Sequence, residues 1–190
     1  MHILKAWFIF VFMRKLRNHE LNRKSIAEFK ASEKSPIVIV LDNVRSLNNI
    51  GSVFRTADAF LVSELYLCGI TSCPPNKDIE KTALGATASV KWQYYNQTND
   101  AIIDLKSKGY IIISIEQAEQ SMTLEKFFPE KSKKYAFIFG HEVKGVKQEI
   151  VDDSDICIEI PQFGTKHSLN ISVSVGIVIW DVFIKLKMED

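Results

Sequence analysis

Ile37–Leu41 reads IVIVL, a short, continuous apolar run placed directly after Pro36. A strand with one face in water alternates apolar and polar residues. A run that is apolar at every position suits a strand buried on both faces. Similar runs recur at Glu64–Leu67, Ile111–Ile115, Ala136–Phe139 and Ile156–Ile160, and the segments Ile50–Phe60, Ala101–Lys108 and Val143–Val151 between them carry helical spacing. Strands alternating with helices predict an α/β fold, a parallel sheet flanked by helices on both sides. No repeat, low-complexity tract or Gly/Ser linker divides the chain. The expected organisation is an N-terminal extension and basic arm over residues 1–35, then one α/β domain over residues 36–190.

The 190 residues suit one domain, and 46% hydrophobic with 25% charged residues is the composition of a soluble globular protein. A formal net charge of +1 argues against a polybasic binder whose affinity rests on cationic excess. It leaves room for a local patch, and the charge is uneven: residues 1–35 sum to +5 and the remainder to −4. Cys68, Cys73 and Cys157 are an odd count without a dense framework, so a reducing cytoplasm is expected rather than a disulfide scaffold. No Cys or His set has zinc-ligand spacing, and no structural metal is expected. Ala6–Met13 (AWFIFVFM) is far shorter than the ~20 residues that span a bilayer, so no membrane segment is expected. Met1–Phe12 reads as a peripheral strand or as an upstream extension, with Met13 as an alternative start.

Residues 14–35 are polar helix formers with a thin apolar stripe of Leu16, Leu21, Ile26 and Phe29, which predicts a basic arm or a peripheral surface helix. At the other end, Leu169–Ile184 alternates like a strand but has the length of a helix. As a helix it places Leu169, Val173, Trp180 and Ile184 on one face and Ile171, Val175, Val178 and Val182 on another. A helix apolar on two faces needs two partners, and a subunit interface is a sensible second one.

Three segments gather glycines and polar groups at strand ends, where parallel α/β sheets hold their ligands. In Leu41–Phe60, Asn49 is expected as the helix N-cap, and Arg55 projects from the first turns, where a guanidinium suits phosphate or carboxylate or pairs with Asp58. In Phe137–Val146, a buried strand runs into Gly140, His141, Glu142 and Gly145; glycine there lets backbone approach a ligand, and Glu142 could orient one. In Ile158–Asn170, Ser168 is expected to cap the last helix, beside Asn170. Each segment alone also fits an ordinary turn or cap. No G-x-G-x-x-G follows the first strand, no P-loop G-x-x-x-x-G-K-[ST] is present, and no G-x-S-x-G elbow appears.

Taken together, N-x-G-x-x-x-R-T-A-D-A-F from Asn49, F-x-F-G-x-E-x-x-G-V from Phe137 and I-P-x-F-G-x-x-x-S-L-N-x-S-V from Ile160 are more specific. In that order they resemble the SpoU/TrmH family of RNA ribose methyltransferases, in the SPOUT superfamily, from about Pro36 to about Lys185. The resemblance implies a SPOUT-type α/β knot, with a deep trefoil knot in the C-terminal part, which periodicity could not have revealed. It implies S-adenosyl-L-methionine as cofactor, tRNA or rRNA as substrate, and a homodimer joined through the knot region and C-terminal helix, both subunits contributing to each site. It assigns catalytic roles to Arg55, Asn49, Glu142, Ser168 and Asn170, and cofactor contacts to Ile115, Gly140, Ile160, Ser168 and Leu169. Gln162, where Met is frequent, and Lys166–His167 before the serine are modest departures that bear on which RNA is accepted. The basic arm (Arg14, Lys15, Arg17, Arg23, Lys24) is the candidate RNA grip. The rival readings are a knotted RNA-binding or assembly factor without catalysis and, more weakly, a nucleotide-binding oxidoreductase, which lacks its glycine fingerprint.

Overall fold

The computed structural model describes residues 13–188, so the Met1–Phe12 extension lies outside the described residues. The strands are β1 (Ser35–Asp42), β2 (Val62–Cys68), β3 (Trp92–Tyr95), β4 (Tyr110–Ile115), β5 (Met122–Thr123), β6 (Lys134–Phe139) and β7 (Ile156–Glu159). They form a seven-stranded sheet in the order β3-β2-β1-β6-β4-β7-β5, parallel at every pairing. The helices are α1 (Ile26–Ala31), α2 (Leu47–Ala59), α3 (Lys77–Ala83), α4 (Ala86–Ser89), α5 (Thr98–Ser107), α6 (Gln148–Asp152) and α7 (Ile171–Met188).

The unbroken apolar runs are explained by two cores, one on each sheet face. On one side Ile37, Ile39 and Leu41 pack with Val53 and Phe54 of α2 and with Val175 and Val178 of α7. On the other, Val38 and Val40 pack with Ile102 and Leu105 of α5 and Ile150 of α6. Fully burying such a side chain contributes about 1.5–3 kcal/mol, and β1 does so at every position from Ile37 to Leu41.

The chain moves outward from β1 to β2 and β3, then crosses back to build β4, and β6 inserts between β1 and β4. The carboxyl ends of β1 and β6 therefore open beside each other where the strand order reverses, the usual ligand position of an open parallel sheet.

Several local expectations change. The helix expected over Val143–Val151 shrinks to α6, because Gly145 takes a positive φ of 65° and closes a backbone bridge with His141 instead. Ser46, not Asn49, caps α2: its hydroxyl accepts from the Asn49 amide at 3.3 Å. The last helix begins at Ile171, so Asn170 rather than Ser168 serves its first turn, its Oδ1 accepting from the Ser172 amide at 2.9 Å. Leu169–Ile184 is helical from Ile171 onward, with Ile171, Val175, Val178 and Val182 buried. Within residues 14–35 only α1 is α-helical; it opens on a Ser25–Glu28 capping box and buries Phe29. Among the described residues, no helix is long and apolar enough to cross a membrane.

Candidate active site

The loops after β1 and β6 meet through one carboxylate. Glu142 accepts hydrogen bonds from the backbone amides of Arg45 (3.1 Å) and Ser46 (2.9 Å) and from the Asn49 side chain (3.3 Å). Those donors stand at the amino end of α2, where free N–H groups and the helix dipole favour negative charge. Burial alone pushes the Glu142 carboxyl up, but the Ser46, Arg45 and own amides and Asn49 outweigh it, holding it below the usual carboxylate range. Asn49 passes the connection on: its Oδ1 accepts from Asn170 Nδ2 at 3.2 Å. Glu142, Asn49 and Asn170, one from each motif segment, thus form a continuous polar chain.

Beside this chain lies a cleft of about 320 Å³ at the carboxyl ends of β4, β6 and β7. Ile115, Phe139, Ile160, Leu169 and Ile171 give it apolar walls, and Gly140, Glu142 and Ser168 also line it. Gly140 is required, though not to admit a ligand. A Cβ there would stand 2.2 Å from the backbone of Gly145 and Val146, so its missing side chain lets the loop fold back on itself. The loop is fastened from β4 as well: Glu116 accepts from the Val146 amide at 2.8 Å and from the Gln117 amide at 2.9 Å. Gln117 in turn donates to the His167 carbonyl at 2.9 Å, tying the rim before Ser168 to the end of β4. Sequence reasoning missed Glu116 and Gln117. Their signal was position, since they follow directly on the buried Ile111–Ile115 run.

Arg55 stands apart. It is exposed on α2, six residues beyond Asn49, about 9 Å along the helix axis. It does not line the cleft, and among the described residues it forms no ion pair with Asp58, which accepts from Ser89 instead. The motif-one glycine, Gly51, belongs to packing: a Cβ there would meet the Ile79 carbonyl and the Thr82 hydroxyl at 2.2 Å. In the arm, Arg14 is engaged by Glu20 at 2.7 Å, and Lys15, Arg17, Arg23 and Lys24 are exposed.

The residues present fit S-adenosyl-L-methionine. The ligand carries no phosphate, so the absent phosphate loop is no obstacle. A cleft of this size, apolar on its walls with a few convergent polar groups, suits a nucleoside.

A parallel α/β sheet with such a cleft at its central strand ends defines a protein of the ligand-binding α/β class. The chain belongs to the SpoU rRNA Methylase family, whose model matches residues 36–180. It is similar to an uncharacterized tRNA/rRNA methyltransferase of Borreliella burgdorferi, 32% identical over 160 residues covering 84% of this chain and 68% of that one. It is 29% identical over 144 residues to the 23S rRNA (guanosine-2'-O-)-methyltransferase of Neisseria meningitidis, covering 76% of this chain and 56% of the relative. Among solved structures, the AdoMet-bound rRNA methyltransferase from Sinorhizobium meliloti matches with a TM-score of 0.72 at 25% identity, over 78% of this chain and 56% of that one. The chain thus spans just over half the length of two of these three relatives.

Proposed function

We propose that this protein is an S-adenosyl-L-methionine-dependent methyltransferase acting on a ribose 2'-OH of tRNA or rRNA. The observation that carries the reading is the Glu142–Asn49–Asn170 chain, which joins all three motif segments at the edge of a nucleoside-sized cleft. An intact chain of this kind disfavours a factor that has lost catalysis.

Ile115, Gly140, Ile160, Ser168 and Leu169 hold the cofactor, largely through backbone and apolar contact. When bound, S-adenosyl-L-methionine supplies an electrophilic methyl group carried on a sulfonium. The protein's task is then to align the ribose hydroxyl in line with that methyl and to stabilise the charge left as its proton departs. Arg55 does the second. A guanidinium keeps its proton and has no lone pair to offer as a base, so Arg55 acts as a fixed cation beside the developing alkoxide, with an RNA phosphate relaying the proton to solvent. Glu142 and Asn49 fix the amino end of α2, and through it the direction in which Arg55 projects.

Because Arg55 lies away from its own cleft, the complete site draws it from a second copy. The open face of α7 supports a homodimer: Val173 and Trp180 are 48% and 54% exposed there, with Leu169 and Ile177 beside them. A C-terminal trefoil knot, with α7 threading the knot region, and a cytoplasmic location complete the reading; free thiols at Cys68, Cys73 and Cys157 suit a reducing compartment.

Subunit complementation tests the shared site. Arg55→Ala and Ile160→Glu chains are each expected to be inactive alone. Mixed, they should regain about a quarter of wild-type activity per chain, as half the dimers are mixed and each holds one complete site. No recovery despite demonstrated subunit exchange would return Arg55 to its own chain's site.

A further inference from the structure

The arm and Arg55, far apart in sequence, line the same groove. It has a volume of about 840 Å³ and is bounded by residues 21–26 with Phe29, by α2 at Arg55 and Asp58, and by the α3–α4 connection around Leu84. Three cations face it: Arg23, Lys24 and Arg55. Among the described residues that line it, Asp58 is the one acidic side chain, and it accepts from the Ser89 hydroxyl at 2.6 Å. Three cations against one carboxylate leave the groove net positive, the complement of a phosphate backbone.

It also presents apolar surface. Leu21, Ile26 and Leu84 are 37%, 50% and 67% exposed. Leu84 ends α3 with a φ of 51°, a left-handed conformation that favours glycine or asparagine, yet a leucine is held there with its side chain outward. An RNA duplex keeps its base faces stacked inside and offers only phosphates, sugars and base edges. An RNA loop offers phosphates together with unstacked bases, whose apolar faces such side chains can cover.

We propose that this groove receives a looped or single-stranded segment of the RNA substrate, with Arg23 and Lys24 gripping the phosphates that flank Arg55 and Leu84 contacting an unstacked base. The proposal rests on the reading of the protein as an RNA methyltransferase. It also divides the arm. Arg23 and Lys24 belong to the groove, whereas Arg14 is neutralised by Glu20 through two hydrogen bonds.

The test uses the full chain and a fluorescein-labelled RNA hairpin with an unpaired loop, titrated by anisotropy across a range of salt. Arg23→Ala/Lys24→Ala should lower the slope of log affinity against log salt by about 1.4, two single-strand phosphate contacts at ~0.7 each. Arg14→Ala should lower it by less than half as much. Leu84→Ser should weaken the hairpin about fivefold and a blunt duplex hardly at all. Calorimetric affinity for S-adenosyl-L-methionine should stay unchanged in all three, which separates groove effects from misfolding. An unchanged slope in the double variant overturns the phosphate grip and leaves the groove to a protein partner. Equal loss of hairpin and duplex in Leu84→Ser overturns the loop preference. If wild type transfers labelled methyl to RNA while the slope holds, only the groove assignment fails; if wild type transfers none, the underlying reading fails.

Discussion

Gly51→Ala sets two known effects of opposite sign against each other. In a helix interior, alanine is favoured over glycine by about 1 kcal/mol, so propensity alone makes the change stabilising. Here the added methyl carbon would stand 2.2 Å from the Ile79 carbonyl oxygen, 2.2 Å from Thr82 Oγ1 and 3.0 Å from the Ala83 nitrogen. Thr82 can turn away, but two of the three are backbone atoms of α3, and ordinary contact begins near 3.4 Å. The two helices must separate, and overpacking of this kind costs about 1–3 kcal/mol. With most of the clash against backbone, the upper part of that range applies, leaving a net destabilisation of about 1–2 kcal/mol. For a chain of this size that lowers the melting temperature by roughly 2–8 °C. Thermal unfolding followed by far-UV circular dichroism reads it directly. Because Asn49 and Arg55 flank Gly51 on the displaced helix, methyl transfer at a temperature where the variant is fully folded should fall as well. A melting temperature equal to or above wild type would refute the close-packing account of this motif glycine.

The remaining predictions concern the polar chain and the open helix face. Glu142 has a folded pKa below its unfolded value, so its stabilisation is fully present above the unfolded carboxylate range and is lost as pH falls through the lower folded value. Urea midpoints of wild type and Glu142→Gln should therefore converge below about pH 4, and a gap that stays constant from neutral to acid pH would contradict this. Asn170→Ala removes the acceptor for the Ser172 amide and the donor to Asn49, and should cost about 0.5–2 kcal/mol in urea unfolding while cutting the turnover rate more than cofactor affinity. Val173→Asp puts a charge on the exposed face of α7 without touching the core, and sedimentation should show dimers giving way to monomers with secondary structure retained; an unchanged sedimentation coefficient would reject that face as the interface.

The sheet could be read from the chain because burial on both faces writes itself as unbroken runs such as Ile37–Leu41. The strands that escaped were the edges. Trp92–Tyr95 packs only partly, and Met122–Thr123 is two residues long, so neither carries such a run. The spacing of Val143, Val146 and Ile150 imitates a helix, but the bridge between His141 and Gly145 closes first, and periodicity does not register it. Ser46 and Asn49 are both good caps, and the choice fell to Ser46 because α2 already begins at the apolar Leu47. What the sequence could not reveal is non-local. The insertion of β6 between β1 and β4 brings Glu142 to the start of α2, and Asn170 reaches Asn49 across 121 residues of chain. The same geometry separates Arg55 from the cleft, although the motif writes it six residues after Asn49.

The proposed activity is transfer of a methyl group from S-adenosyl-L-methionine to an RNA ribose. Incubation with methyl-labelled cofactor and total RNA, followed by nuclease digestion and mass spectrometry of the nucleosides, measures it directly. Label is expected in a 2'-O-methylnucleoside at a defined position of tRNA or rRNA, abolished in Arg55→Ala while cofactor binding persists. Label on a base, no label in RNA, or full transfer by Arg55→Ala would contradict it.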